Sequence, residues 1–123
     1  MAATGSNSGA VIADEQVFIS FKGDQLPENM VEHNAEAEIV AHKGDRAMKV
    51  NFAKVDWPNV FFAPEDGPWD WSACAGIVVD VFNPGTKAVD VCMRVDDDPS
   101  ADGMQHCNTG TANVPPGERV RLQ

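Results

Sequence analysis

The sequence predicts an all-β protein, an antiparallel β-sandwich or jelly roll built as one domain. Two observations support this fold class. Several short runs alternate apolar with polar side chains, and no stretch shows the 3.6-residue period of an amphipathic helix. Short links rich in Gly and Pro separate the runs, as turns between antiparallel strands require. A chain of 123 residues has room for one such domain with one core.

The N-terminus is predicted to be a flexible tail over residues 1–13, followed by the β-sandwich domain over residues 14–123. The first ten residues are rich in Gly, Ser, Ala and Asn. They lack the cationic start and the apolar centre of a signal peptide. No run in the chain approaches the roughly 20 apolar residues that a membrane-spanning helix needs.

Four strands are predicted in the first half of the domain, at residues 16–21, 37–41, 47–54 and around 60–63. In the first of these, Val17, Ile19 and Phe21 recur at every second position. The segment 23–38 contains Pro, Asn and several acidic residues, so it is predicted to be a loop with at most one or two helical turns in residues 32–39.

Four further strands are predicted in the second half, at residues 77–82, 89–96, 104–113 and 118–122. Residues 77–82 are apolar except for Asp80, which predicts a central strand covered on both faces. Residues 89–96 alternate so regularly that one face must belong to the core while the other is polar. Turns are predicted at Lys43-Gly44-Asp45, Asn83-Pro84-Gly85 and Pro115-Pro116-Gly117.

The charge of the chain limits its partners. Nine Lys and Arg oppose nineteen Asp and Glu, and the formal net charge is −10. A nucleic-acid backbone or an anionic lipid surface would be repelled, so neither nucleic acid nor membrane is expected as a partner.

The acidic stretch 96–103 begins like a calcium-binding loop, with oxygen-bearing side chains at Asp98, Ser100 and Asp102 followed by Gly103. The match fails at the twelfth position, where Thr109 stands in place of a bidentate Glu, and no helices are predicted on either side. A solvated turn is therefore predicted. No metal or other cofactor is predicted; a weak or atypical calcium site in this stretch stays open as an alternative, although the motif does not support it.

No catalytic residues are predicted. The common nucleophile, phosphate-binding and metalloprotease motifs are absent, and acidic residues on one turn do not form the opposed pair that glycoside hydrolysis needs. The cysteines Cys74, Cys92 and Cys107 contain no C-x-x-C pair, which argues against a zinc site. A single disulfide between Cys92 and Cys107 stays open, since their strands could be neighbours.

Three tryptophans lie close together in the sequence, at Trp57, Trp69 and Trp71, among Pro and acidic residues. Aromatic planes that stack on sugar rings, with polar groups nearby to bond the hydroxyls, are typical of a carbohydrate-binding surface. Trp71 is predicted to cap the core beside Ile77. For Trp57 and Trp69, the rim of the core and a ligand platform are both open.

Six motifs are distributed along the domain: VDWPNVFF (55–62), PWDWS (68–72), VDVFNP (79–84), RVDDDPSADG (94–103), HCNTG (106–110) and VPPGE (114–118). Together they resemble the N-terminal carbohydrate-binding-module-like domain of bacterial β-agarases. The resemblance spans roughly Val17 to Leu122, and its most specific part combines the PWDWS run with the acidic stretch.

The resemblance implies a jelly-roll module that binds or positions agarose-type galactan, a neutral polysaccharide, for a (β/α)₈ barrel catalytic domain absent from this chain. The alternative is a structural module that braces the barrel and binds no sugar itself. On both readings this chain alone is not expected to be catalytic, although its parent would be a secreted or periplasmic glycoside hydrolase. A free-standing hydrolase is the third reading, and the lack of an opposed acid pair argues against it. The module could be truncated at its C-terminus, because the last predicted strand ends at Leu122.

The residues predicted to bind carbohydrate are Trp57, Trp69, Arg94, Asp96 and His106. The two tryptophans would stack on sugar rings. Arg94 and Asp96 lie on the polar face of the strand 89–96 and would bond hydroxyls, and His106 could join them from the next strand.

Overall fold

The computed structural model describes residues 15–123, so the predicted tail over residues 1–13 lies outside the described residues. The described part of the chain contains strands and no helix, and every strand pair in it is antiparallel, which confirms the predicted antiparallel all-β fold class. It therefore contains no helix that could cross a membrane. The strands are β1 (Met30–His33), β2 (Ala35–His42), β3 (Asp45–Phe52), β4 (Asn59–Phe62), β5 (Val79–Phe82), β6 (Val89–Asp96), β7 (Cys107–Val114) and β8 (Arg119–Leu122).

The chain divides into two compact units, the first ending at Ala75 and the second covering Gly76–Gln123. In the first unit, β2 and β3 form a hairpin whose register runs from Ala35 opposite Phe52 to His42 opposite Asp45. Its turn has φ angles of 49° at Lys43 and 79° at Gly44. Positive φ angles at both central residues are typical of a type I′ turn, whose twist fits that of the two flanking strands. The predicted turn is therefore confirmed.

The first unit also corrects the prediction of a loop over residues 23–38. Met30–His33 forms β1, which pairs with β4, and β2 begins at Ala35. Only Asn34 separates the two strands. Its φ of 51° redirects the backbone, and its carbonyl accepts a hydrogen bond from Ala53 at 2.9 Å. The Ala-Glu alternation at the start of β2 is a strand signal, although both residue types favour helices.

The strand predicted at residues 16–21 is also wrong, because this segment is irregular. The segment forms no strand ladder, and its apolar side chains attach it to the core of the first unit instead. Phe21 is only 3% exposed, and its ring lies 6.1 Å from that of Phe62. Two ion pairs then join the residues that follow to the β2–β3 hairpin: Lys22 with Asp45 at 2.9 Å, and Asp24 with Arg46 at 2.6 Å.

In the second unit, β6 and β7 pair over eight residues, and the predicted alternation of β6 is confirmed. Val91, Met93 and Val95 are half-buried while the residues between them are exposed. The opposite strand ends at Val114, which is fully buried. This pair therefore presents one apolar face to the core and one polar face to solvent.

Strand β5 is buried as predicted, but it pairs with β8 alone among the described strands, so the prediction of a central strand is wrong. Asp80 and Arg121 stand directly opposite each other in this pair. Asp80 is 5% exposed and accepts hydrogen bonds from Arg119 and Arg121. A buried carboxylate is tolerated here because cationic donors compensate the loss of water.

Asn83 holds the end of β5 to the turns around it. Its side-chain amide donates to the carbonyls of Lys87 at 2.7 Å and Val114 at 3.0 Å, and its side-chain oxygen accepts from Gly85 at 2.9 Å. Its backbone carbonyl accepts from Gly117 at 2.8 Å. The φ of 73° at Gly117, after Pro116, fits position three of a type II turn, so both predicted turns of this unit are present.

Candidate functional site

Three aromatic rings form a cluster in the first unit. The rings of Trp69 and Trp71 are stacked, with centroids 5.5 Å apart and planes 18° from parallel. Phe18 stands nearly perpendicular to both, at 4.8 Å from Trp69 and 5.1 Å from Trp71. Stacked and edge-to-face contacts of this kind each contribute about 0.5–1.5 kcal/mol beyond area burial, so the indole of Trp69 is held in one orientation.

Trp69 stands between two open depressions on the surface of the first unit. One has a volume of about 540 Å³ and the other about 520 Å³, and both are lined by Trp69 and Asn29. We call the two depressions together the Trp69 groove. The first is otherwise lined by Phe18, Ile19, Ser20, Gly23, Gln25 and Pro27, and the second by Pro64, Glu65, Asp66, Gly67, Pro68 and Asp70.

The polar groups of the Trp69 groove differ between the two depressions. The first offers the hydroxyl of Ser20 and the amide of Gln25, whereas the second offers three carboxylates. The shared Asn29 is fixed by a hydrogen bond from its amide to the carbonyl of Ala63 at 3.0 Å. Hydrogen bonds from Ser72 hold the pKa of Asp70 below its ordinary value, so this carboxyl is an acceptor at neutral pH.

Trp57 also belongs to the first unit, but it lines neither depression. Its side chain is 81% exposed, and its φ is 55°. The left-handed region is unfavourable for a residue with a bulky side chain. A hydrogen bond from the Asn59 side chain to the Trp57 carbonyl, at 2.9 Å, supports this conformation.

Arg94 and Asp96 lie on the polar face of β6 in the second unit, as predicted, and they bind each other. Nε and Nη2 of Arg94 donate to the two carboxylate oxygens of Asp96 at 2.6 and 2.8 Å. This pairing raises the pKa of Arg94 further above its ordinary value. The fork-to-fork geometry uses two of the five N–H donors of the guanidinium and fixes its plane, so the donors left for a ligand point in set directions.

His106 ends the loop between β6 and β7 and adopts a φ of 59°. Its Nδ1 lies 3.5 Å from a carboxylate oxygen of Asp97, and its carbonyl accepts a hydrogen bond from the Asp97 amide at 2.9 Å. Within the same loop, Asp98 and Asp102 bond to nearby backbone amides. The acidic stretch is therefore a structured turn whose carboxylates are engaged locally.

Within residues 15–123, no three His, Cys, Asp or Glu side chains are grouped so that they could hold a metal ion. The strand register also excludes the disulfide that the sequence left open. Cys92 pairs with Thr111 and Cys107 with Asp96, four positions further along β6. That offset corresponds to about 13 Å along the strands, well beyond the Cα separation of about 7 Å that a disulfide allows.

The five predicted binding residues are thus divided between the two units, with Trp57 and Trp69 in the first and Arg94, Asp96 and His106 in the second. The prediction missed the polar residues around Trp69. Glu65, Asp66 and Asp70 could have been found from their closeness to Trp69 in the sequence. Gln25 and Asn29 carry no such signal, because only folding brings their segment beside Trp69.

Comparison with known proteins gives two matches. The family model described as "Agarase CBM like domain" matches residues 20–119. The chain is also 29% identical over 135 aligned positions to Beta-agarase B of Vibrio sp. (strain JT0107), and the alignment covers 98% of this chain. The chain spans only 14% of the length of that relative. No solved structure matches.

Proposed function

The chain belongs to the family of agarase CBM-like domains, and on that premise we propose that it binds a neutral, agarose-type galactan at the Trp69 groove. In this proposal, residues 14–123 act as one carbohydrate-binding-like module. The relative's name supplies the class of polysaccharide, and the net charge of −10 supports a neutral one, since sulfated chains would be repelled.

One observation carries the proposal: a half-exposed indole, fixed by neighbouring rings, stands between two depressions lined by amide, hydroxyl and carboxylate groups. The apolar face of a sugar ring stacks on an indole, and its hydroxyls both donate and accept hydrogen bonds. The side-chain amides of Gln25 and Asn29 can donate and accept hydrogen bonds, and the carboxylate of Asp66 can accept them. The orientation of Trp69 is set before binding, which lowers the entropy lost on association.

The polar face of β6–β7 is a second candidate surface, where Arg94, Asp96 and His106 would bond hydroxyls. The side chains of these three residues are between about 40% and 50% exposed. Arg94 and Asp96 are already paired by two hydrogen bonds, so the charge of each is partly compensated before any sugar binds there. Trp57 is a second candidate platform for stacking, given its exposure. We therefore place the Trp69 groove first.

The module would serve a larger enzyme. The relative is named a β-agarase and is about seven times as long as the matched segment, since that segment is 14% of it. We propose that the parent of this chain is a secreted or periplasmic glycoside hydrolase whose barrel domain cleaves the polysaccharide. This chain, which is not itself catalytic in our proposal, would hold the polysaccharide near that domain.

A structural role without sugar binding is the second candidate. Val31 and Phe61 are directly opposite each other on β1 and β4, and their side chains are 45% and 48% exposed. An apolar cross-strand pair on an open sheet face is a feature that a protein partner would cover. In this alternative the catalytic barrel packs on the module and the Trp69 groove has no ligand.

Affinity electrophoresis separates the two candidates. The chain is run in native polyacrylamide gels with and without dissolved agarose, and retardation by agarose supports binding. Trp69→Ala is expected to lose the retardation, corresponding to at least about a tenfold loss of affinity for a central aromatic anchor. Phe61→Ala, an exposed aromatic that lines neither depression, is the matched control and should migrate like the unaltered chain.

Two outcomes would count against the Trp69 groove. Equal mobility of the unaltered chain in both gels would favour the structural role. Retardation that is lost in Trp57→Ala or Arg94→Ala but kept in Trp69→Ala would move the binding site to one of the other candidate surfaces. Circular dichroism of each variant checks that the fold is retained.

A further inference from the structure

We infer that the two depressions beside Trp69 are consecutive subsites of one groove, which a single linear glycan chain occupies by crossing the indole. This inference rests on the proposed function and adds the form of the ligand: the interior of an unbranched chain several sugars long, as opposed to a single sugar or a chain end. The first observation is that Trp69 and Asn29 line both depressions, so the two spaces meet at these side chains.

The size of the depressions supports two subsites. Each has a volume above 500 Å³, within the range of about 300–1,000 Å³ that is typical of a complete small-molecule site. Both are open to solvent along the surface, so a polymer can enter one and leave by the other. One sugar stacked on Trp69 would leave most of both spaces empty.

The walls of both subsites are held in place independently of a ligand. On the first side, the segment containing Gln25 follows Phe21, which is buried, and two ion pairs attach it to the β2–β3 hairpin. On the second side, Asp70 is bonded to Ser72, and Gly67 adopts a φ of 78° that a side chain would strain. A preformed groove loses little order on binding, so contacts in the second subsite add directly to affinity.

The polar groups of the two subsites differ, so the two ends of the groove are chemically distinct. Ser20 and Gln25 on the first side are neutral, whereas Glu65 and Asp66 on the second side are carboxylates that accept charge-assisted hydrogen bonds from hydroxyls. The second subsite should therefore favour uncharged sugars and oppose a sulfate ester placed there. Variants of each side can then report which subsite a ligand occupies.

The test is a chain-length series measured by isothermal titration calorimetry with agarose-derived di-, tetra- and hexasaccharides. Occupying two linked subsites should raise the affinity by at least about tenfold between the disaccharide and the hexasaccharide. Gln25→Ala and the double change Glu65→Gln with Asp66→Asn should each reduce that ratio by about threefold or more, because each weakens one subsite.

The matched control is the double change Glu36→Gln with Glu38→Gln on the exposed face of β2. This variant also loses two negative charges, and neither residue lines a depression. The dependence of affinity on the length of the saccharide should therefore stay unchanged. A hexasaccharide of a sulfated galactan is the second probe. The sulfated hexasaccharide should bind more weakly than the neutral one. The double variant of Glu65 and Asp66 should reduce this difference in affinity, whereas the double variant of Glu36 and Glu38 should leave it unchanged.

The failures are distinguishable. If no saccharide binds, the proposed function is wrong and the inference falls with it. If the disaccharide binds as tightly as the hexasaccharide, or if neither groove variant lowers the ratio, the proposed function stands and the two-subsite groove is overturned.

Discussion

The guanidinium of Arg121 donates two hydrogen bonds to the carboxylate of Asp80, from Nε at 2.9 Å and from Nη2 at 3.2 Å. The two residues are directly opposite on β8 and β5, and Arg119 donates to the same carboxylate. Asp80 is the residue that interrupts the apolar run of β5. Two cationic donors therefore explain how a strand that is otherwise apolar keeps a carboxylate that is only 5% exposed.

Replacing Asp80 should destabilise the fold strongly. Asp80→Asn removes the charge that compensates Arg119 and Arg121, and we expect the free energy of unfolding to fall by about 2–3 kcal/mol, since both arginines keep partial contact with water. Urea denaturation followed by circular dichroism measures this change. Asp90→Asn on the exposed face of β6 is the control, with an expected change within about 0.5 kcal/mol. Equal effects in the two variants would contradict the structural role of Asp80.

The loop between β6 and β7 should loosen in acid. Hydrogen bonds from Ser100 lower the pKa of Asp98 below its ordinary value of 3.8, and amide hydrogen bonds from Met104 and Gln105 do the same for Asp102. The stabilisation is therefore complete above pH 3.8 and is lost as the pH falls through the lower pKa values of the folded state.

Amide resonances in an NMR pH titration follow this loop directly. Those of Ser100 and Gln105 should stay constant between about pH 5 and pH 7 and should shift below about pH 4. Asp102→Asn should remove the transition at Gln105 and keep the one at Ser100, since the two carboxyls bond to different amides. A transition between about pH 5 and pH 7 at either amide would contradict this prediction.

At position 57, a glycine variant should be more stable than an alanine variant. The φ of 55° at Trp57 is unfavourable for any residue with a Cβ atom and costs glycine little. We expect Trp57→Gly to be more stable than Trp57→Ala by about 1 kcal/mol in urea denaturation. The exposed indole contributes little burial, so both variants should fold. Greater stability of the alanine variant would show that the left-handed conformation does not persist in solution.

All three thiols should be reduced and should differ in reactivity. The spacing of Cys92 and Cys107 along β6–β7 forbids a disulfide between them, and all three cysteines are free. Under native conditions without reductant, Ellman's reagent should react faster with the exposed Cys74 and Cys92 than with the half-buried Cys107. In denaturant the chain should yield three thiols. A yield of one thiol would reveal a disulfide and contradict the assignment of three free cysteines.

Local patterns were enough to predict the strands of the second unit. The alternation of residues 89–96 identified β6 and its polar face, and the positions of Arg94 and Asp96 on that face followed directly. Gly and Pro located the turns beside β5 and β8. These features depend on a two-residue side-chain period and on the φ preferences of single residues, which any short stretch of sequence displays.

The same reasoning failed where distant segments decide the structure. Residues 16–21 alternate as a strand would, yet they are irregular. None of the strands within residues 15–123 pairs with them, and their apolar side chains pack on Phe62 and Trp69 instead. Met30–His33 lacks a clear pattern and becomes β1 only because β4 supplies its hydrogen-bond partner. Pairing of this kind depends on contacts that no local pattern contains.

By itself, the amino-acid sequence determined the all-β class, the two-faced β6 strand, the acidic charge and, through its motifs, the family. Tertiary structure alone decided that Asp80 meets Arg119 and Arg121, that Cys92 and Cys107 lie far apart, and that Gln25 and Asn29 meet Trp69 at a groove. The physical reason is that side-chain period and turn preference act over a few residues, whereas strand register and the packing of loops join positions tens of residues apart.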